Sequence, residues 1–543
     1  MLQAPIFRGP AGHAHLVEID TVIINFARTV EQLSICYGER EALVNVERAR
    51  RYSFAELHRL TNRIVNMMRE RLGLRRGDAW LCILDNDNLS LLHAWTALKG
   101  EAAAAWTNRR DSADEHRRQV GFVRPKVVFL ENDLIAPYFD MLRTLGATVV
   151  CMDPVPAARD GLYYFWDLLD GVSDANLGIE SDTARDILIY RFTGGTTGNS
   201  KCAQYTIANW LACRDSYYLE REQVFDAQTR FLHMAPISHG SGLGLLPTFF
   251  RGGCTVTQNA PDLAQWCRNL EAERVTMAML VPTLLYRLLD MPEAKEHDLS
   301  SLRTIHYGAA PMSPAKLAPL QERFGNIFVQ VYGSTECLQP VATLNKADHA
   351  AATPERLASA GRIACTIELL VVDESGTPMP AGAIGEIWLR SAATIGGYLH
   401  NPEGTAAEFS NGFWKSGDLG YLDEEGYLYI VDRKKDMIIT GGFNVYAIEV
   451  EAALNAHPAV AISAVVGVPH DEWGEAVHAE VVLKAGAAID ADELIAYVKA
   501  HIGRFKAPKS IAFVEALPLS VVGKVLRRQI RERYWSNEAR RVG

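Results

Sequence analysis

Short runs of β-branched and apolar residues alternate along the chain with segments whose apolar positions recur at helical spacing. Lys126-Val127-Val128-Phe129-Leu130 and Thr148-Val149-Val150-Cys151-Met152 read as buried strands, and residues 134–145 between them carry the spacing of a helix. Ser53 followed by Glu56 predicts a capping box that opens a helix running to about Arg71. Residues 187–192, 275–280 and 327–331 add strands, and the alternation predicts α/β layers with parallel strands. The pattern changes after about Gly361. Residues 367–372, 385–390 and 426–431 are short strands parted by the turn signals Asp373-Glu374-Ser375-Gly376 and Asp423-Glu424-Glu425-Gly426, which predicts a β-rich subdomain of hairpins over about 361–432. Beyond the charged stretch Asp432-Arg433-Lys434-Lys435-Asp436, mixed patterns resume at 447–455, 459–468, 477–483 and 491–501, enough for a small α+β domain.

Composition changes this picture little. The 543 residues exceed one core, and 48% apolar with 22% charged residues is ordinary for a globular chain. A formal net charge of -10 argues against nucleic acid as the main partner, while leaving room for a locally positive site that binds small anions. The nine cysteines include no CxxC pair, which argues against a disulfide framework or a cysteine zinc site and for buried free thiols. No signal-peptide pattern, no apolar run of bilayer length and no C-terminal address is read, so a cytoplasmic location is the expectation.

The candidate chemistry begins at Thr193-Gly194-Gly195-Thr196-Thr197-Gly198-Asn199-Ser200-Lys201. Its glycines let backbone N–H groups close on phosphate oxygens, its threonines add hydroxyl donors, and Lys201 adds a positive charge. The spacing is not that of a Walker A loop. Residues 190–203 resemble the signature loop of the adenylate-forming superfamily, which includes acyl-CoA synthetases, peptide-synthetase adenylation domains and luciferases. That family often has Ser at Gly194, Pro at Ser200 and Gly at Cys202. The resemblance recurs in order at Tyr52-Ser53-Phe54 with Arg76-Gly77-Asp78, Pro236-Ile237-Ser238-His239-Gly240, Tyr307-Gly308-Ala309-Ala310-Pro311, Tyr332-Gly333-Ser334-Thr335-Glu336, Trp414-Lys415-Ser416-Gly417-Asp418 with Asp432-Arg433, Gly441-Gly442-Phe443-Asn444-Val445-Tyr446, and Pro518-Leu519-Ser520 with Gly523-Lys524.

The resemblance implies a large N-terminal part (1–432) of layered α/β subdomains plus the β-rich subdomain, a hinge at 433–435, and a small mobile α+β C-terminal domain (436–543). It implies ATP, Mg²⁺ and coenzyme A as partners of a small carboxylic acid, with no nucleic acid and no membrane span, and it allows a homodimer. Glu336 supplies a hard oxygen for Mg²⁺ and Thr335 bonds the α-phosphate. Tyr332 offers a ring for adenine or fills the core, and Gly308, Ala309 and Ala310 leave room for a planar base. Asp418 and Arg433 address the ribose, and Lys524 bridges carboxylate and α-phosphate. Lys435 matches the hinge, and Gly441 and Gly442 leave room for a pantetheine arm. His239, Gly242, Gly333, Cys337 and Leu338 border an acyl pocket, where His239 either orients the carboxylate or packs. The implied activity is ATP-dependent carboxylate–CoA ligation through an acyl-adenylate, on a fatty or aromatic acid. The alternative is a free-standing adenylation enzyme that loads a separate carrier protein.

Overall fold

The structure is a computed structural model that describes residues 7–8, 14–15, 22–154, 159–193, 201–220, 222, 224–351, 353–520 and 523–535. Three sheets organise it. In the first, a seven-stranded sheet, the spatial order is Leu162–Tyr164, Thr148–Cys151, Val127–Leu130, Ala79–Ile83, Ala103–Trp106, Ile187–Phe192 and Cys202–Thr206. All neighbours run parallel except the last pair, which is antiparallel. The inner strands are buried on both faces, as the unbroken apolar runs predict. The capping box is present: Ser53 Oγ accepts from the Glu56 N–H at 3.2 Å and opens the helix Phe54–Glu70.

The second sheet holds the parallel strands Glu41–Asn45, Cys254–Thr257, Arg230–His233, Met277–Leu280, Thr304–Gly308 and Phe328–Tyr332. Ala342–Leu344 then pairs antiparallel with Phe328–Tyr332, and Gly361–Ile363 with Ala342–Leu344. Through Tyr427–Arg433 the hydrogen bonding continues into Phe413–Leu422, Gly385–Arg390 and Glu368–Val372. The β-rich segment is therefore an antiparallel extension of the parallel sheet, in one 14-stranded array. The two sheets close on a shared core in which Leu43 and Phe231 of one meet Trp80, Trp106 and Ile189 of the other. His93 lies within it, stacked on Trp106 at 4.0 Å, and burial holds its imidazole down at about 3.

A third sheet starts at Ile438–Thr440 and holds Phe443–Val445, Val460–His470, Gly474–Leu483 and Ser510–Phe513, packed on the helices Ala447–Ala456 and Ala491–Ile502. All nine cysteines are free thiols; seven are buried, while Cys36 and Cys365 are exposed, which corrects the expectation that all are interior. Among the described residues no helix is long and apolar enough to cross a membrane.

Candidate functional site

Most of the motif residues sit just past the carboxyl ends of parallel strands, where open α/β sheets form their binding crevices. Thr193 follows Ile187–Phe192, Ala309 follows Thr304–Gly308, and Gly333 follows Phe328–Tyr332. The chain returns as the strand Cys202–Thr206, antiparallel to Ile187–Phe192, so Thr193 and Lys201 face each other at the end of the pair. Its closing contacts are the Thr193 N–H to the Lys201 carbonyl at 2.8 Å and the Lys201 N–H to Thr193 Oγ1 at 3.3 Å. Gly194, Gly195, Thr196, Thr197 and Gly198 lie outside the described residues.

The Lys201 ammonium forms an ion pair with Glu408 and stands 5.1 Å from the centroid of the Tyr398 ring. The Tyr398 hydroxyl donates to Glu408 Oε2 at 2.5 Å and lies 3.0 Å from Glu336 Oε1. Glu336 is also held by Ser334, whose hydroxyl donates to Oε2 at 3.2 Å and accepts from the Glu336 N–H at 3.1 Å. Burial raises the Glu336 carboxyl above the usual range. Thr335 is fixed through its carbonyl, which accepts from the Tyr205 hydroxyl at 2.5 Å.

Tyr332, Asp418 and Arg433 come together from distant strands. The Tyr332 hydroxyl donates to Asp418 Oδ2 at 2.6 Å, and Arg433 Nε lies 3.3 Å from Oδ1, across the antiparallel register that pairs Asp418 with Arg433. Asp418 is buried and Arg433 half-exposed. Gly308 has a packing reason: a Cβ there would stand 2.2 Å from the Val331 carbonyl. Ala309 turns the chain at φ 68°, and Ala310 is half-buried beside it.

On the apolar side, His239 begins the 3₁₀ turn Gly240–Gly244, its Nδ1 3.0 Å from Ser238 Oγ. Burial holds its imidazole at about 3, with Arg191 and Lys524 adding to the effect, so it is neutral. Gly242 is required sterically, since a Cβ would meet the Ile237 carbonyl at 1.9 Å. Gly333 is also sterically required, since a Cβ there would stand 2.6 Å from Gln339 Cβ. Leu338 joins the core between the sheets with Ile237 and Leu243. Cys337 faces the other way, packed with Val341, Ile387 and Trp414, and its sulfur accepts from Thr394 Oγ1 at 3.4 Å. Sequence reading missed two buried polar side chains packed nearby. There Gln339 donates to the Tyr217 hydroxyl at 2.9 Å, and His306 is buried against Tyr217, Phe225 and Phe231.

Lys524 reaches the same place from the far end of the chain. Its N–H donates to Ser520 Oγ at 3.0 Å and its carbonyl accepts the Ser520 N–H at 2.7 Å, around Gly523 at φ 83°. The Gly523 carbonyl accepts from Thr283 Oγ1 at 3.0 Å. Loss of water brings the Lys524 ammonium down to about 8, with nearby Arg433 adding to the shift and Asp418 opposing it. Lys435 is likewise pushed down by burial and then by Arg433.

Gly441 (φ 56°) and Gly442 (φ 83°) form the two-residue turn between Ile438–Thr440 and Phe443–Val445, where both central positions need positive φ. Beside this turn stands an aromatic and basic patch that the motif reading overlooked. The Gly441 N–H donates to the Trp473 carbonyl at 3.0 Å, and Lys509 Nζ stands 5.2 Å from the Trp473 ring. Phe443 and Phe505, 63% and 47% exposed, lie 5.6 Å apart, with Lys506 Nζ 5.7 Å from Phe505. At the end of the large part, the buried Asp432 carboxylate accepts the Ala447 N–H at 2.6 Å, at the start of the helix Ala447–Ala456. Burial raises its carboxyl to about 6 against the opposing pull of Arg527.

Comparison with known proteins shows the family. Residues 32–399 match the family of AMP-binding enzymes, and residues 449–524 match the AMP-binding enzyme C-terminal domain. The chain is 42% identical over 359 residues to the medium/long-chain-fatty-acid–CoA ligase FadD8 of Mycobacterium tuberculosis, covering 65% of this chain and 62% of that protein. It is 33% identical over 432 residues to the indoleacetate–CoA ligase of Aromatoleum aromaticum, covering 78% and 82%. Its fold is similar to that of ATP-bound MatB from Rhodopseudomonas palustris, with a TM-score of 0.83, 28% identity and coverage of 94% and 99%.

Proposed function

Because the chain belongs to the family of AMP-binding enzymes, we propose that it is an ATP-dependent carboxylate–CoA ligase acting on a hydrophobic acid. Its relatives are ligases of medium- and long-chain fatty acids and of indoleacetate, which supports a fatty or aromatic acid. The observation that carries the reading is the seating of the Lys524 turn on the large part, where Thr283 Oγ1 donates to the Gly523 carbonyl at 3.0 Å and the ammonium comes within electrostatic reach of Asp418, Arg433 and His239.

In the first step the acid's carboxylate oxygen attacks the α-phosphorus, and the bond to pyrophosphate breaks. Two anions must be brought together, so positive charge and alignment carry the rate. Lys524 supplies a compact ammonium at the junction. Asp418 accepts from the ribose hydroxyls, oriented by Tyr332 and Arg433. Tyr332 thereby spends its hydroxyl on Asp418 and keeps its ring face for adenine. The Glu336 carboxylate is a hard-oxygen donor preset by Ser334, which fits Mg²⁺ shared with substrate phosphates. That ion would neutralise charge on the leaving pyrophosphate. Thr193 and Lys201 close the mouth of the loop that holds it. On this reading neutral His239 either orients the carboxylate or packs beside it.

In the second step the thiol sulfur of coenzyme A attacks the acyl carbonyl and AMP leaves. Lys524 is then in the way. We take residues 1–432 as the nucleotide- and acyl-binding part, 436–543 as a mobile lid, and 433–435 as the hinge that exchanges them, with Lys435 at its centre. The turn at Gly441 and Gly442 enters when Lys524 withdraws. Trp473, Phe505, Lys506 and Lys509 offer rings and ammonium groups suited to the nucleotide end of coenzyme A, which favours free CoA over a carrier protein as acceptor. A panel of fatty and aromatic acids assayed by pyrophosphate release, followed by thioester detection with free CoA, tests the proposal. Pyrophosphate release without an acyl-CoA, but with transfer to a holo-carrier, overturns it.

A further inference from the structure

Glu408 belongs to none of the recognisable motifs, yet it holds the lysine that closes the phosphate loop. It ends the helix Pro402–Glu408, which starts at Asn401, whose Oδ1 accepts the Gly404 N–H at 2.8 Å. Thr405 in that helix accepts the Tyr398 N–H at 3.0 Å, and the Leu399 N–H donates to the Cys202 carbonyl at 2.8 Å. Helix, tyrosine and lysine-bearing strand are thus fastened into one unit, and the meeting of Lys201 with Glu408 is built into the backbone. Both side chains stay partly accessible, 28% for Lys201 and 32% for Glu408, so an incoming anion can reach the pair.

The charges are unbalanced as they stand. Glu336 and Glu408 share one tyrosine hydroxyl, which has a single proton to give, and the Lys201 ammonium pairs with Glu408. An arriving phosphate meets a lysine already neutralised by a carboxylate. We propose that Glu408 is a positioning residue for Lys201, holding the ammonium in the nucleotide-free enzyme and competing for it with the phosphates of ATP and of leaving pyrophosphate. The competition weakens the grip on pyrophosphate and speeds its departure. This inference rests on the reading of Lys201 as a phosphate ligand.

The test is direct titration of the full chain with magnesium pyrophosphate by calorimetry, alongside the adenylation kinetics. Glu408→Gln keeps the size of the side chain and its bond to Tyr398 while removing the charge. It should lower the pyrophosphate Kd and the KM for ATP by about three- to tenfold, the scale of a partly exposed charge-assisted contact, without raising kcat for adenylation. In a Lys201→Ala background the same substitution should change the Kd by less than about twofold. Tyr398→Phe, which spares the ion pair, should do likewise. Unchanged or weaker pyrophosphate binding in Glu408→Gln overturns the assignment, as does equal tightening in either control. Wild-type protein that binds neither ATP nor pyrophosphate overturns the ligase reading together with this one, whereas normal wild-type binding with an indifferent Glu408→Gln overturns this one alone.

Discussion

The Thr283 hydroxyl donates to the Gly523 carbonyl at 3.0 Å, and this bond seats the turn that carries Lys524 against the large part of the enzyme. Under the proposed function this is the arrangement of the adenylation step. Lys524→Ala should lower acyl-adenylate formation at least about 100-fold, the scale on which a preorganised charge acts at a reacting phosphate. Thioester formation from a supplied acyl-adenylate should fall less than about threefold. Rapid-quench measurement of the two half-reactions separates them, and equal losses would contradict the role.

The same lysine sets a pH limit. Burial brings it from an ordinary 10.5 to about 8. Between those values an undocked Lys524 holds a proton that the docked one has released, so docking strengthens with rising pH while the catalytic charge disappears. Adenylation kcat/KM, which reports the free enzyme, should fall as pH rises through about 8. The thioester half-reaction should show no such limb, and neither should residual adenylation by Lys524→Ala.

The proposed rotation about residues 433–435 requires free backbone torsion there. Lys435→Pro fixes φ and removes an N–H. It should slow thioester formation about tenfold or more and adenylation less than about threefold, because under the proposed function the adenylation step needs no rotation from this arrangement. Single-turnover kinetics with preformed acyl-adenylate decides; an unaffected second step removes Lys435 from the hinge.

The ring-and-ammonium patch makes a prediction about the acceptor. Trp473→Ala and Lys509→Ala should each raise the KM for coenzyme A by about tenfold, with the KM for ATP and the acid unchanged. Their Lys509 Nζ to Trp473 contact of 5.2 Å couples them, so the double variant should lose less than the product of the two. An unchanged KM for coenzyme A in both single variants would move the acceptor site elsewhere.

Sequence patterns revealed the parts of this molecule whose physics is local. Ile187–Phe192 and the box at Ser53 and Glu56 follow from nearest-neighbour preferences, and both are formed as the pattern predicts. Gly441 and Gly442 stand out because only glycine takes two consecutive positive φ angles readily. What depends on distant partners stayed hidden. The joining of the β-rich segment to the parallel sheet hangs on Thr343 pairing with Arg362, a contact that leaves no periodic trace. Glu408 and Tyr398 matter because Lys201 lies beside them, 207 positions earlier in the case of Glu408, and neither carries a spacing signal. Cys337 and Leu338 are neighbours in the chain yet serve different cores, which a motif read as one pocket edge does not reveal.

Asp432 gives the joint between the two parts a mechanical character. Its carboxylate grips the first peptide N–H of the helix Ala447–Ala456 at 2.6 Å, so the chain from 433 to 446 is a closed ring pinned at one buried point. A turn of the lid that keeps the pin swings like a gate on a post, and each displacement is paid out only through the few torsions beside it. A turn that breaks the pin strands a carboxylate away from water and from its helix. In the proposed rotation about residues 433–435, the pin steers the stroke toward one arc and defines where its axis passes.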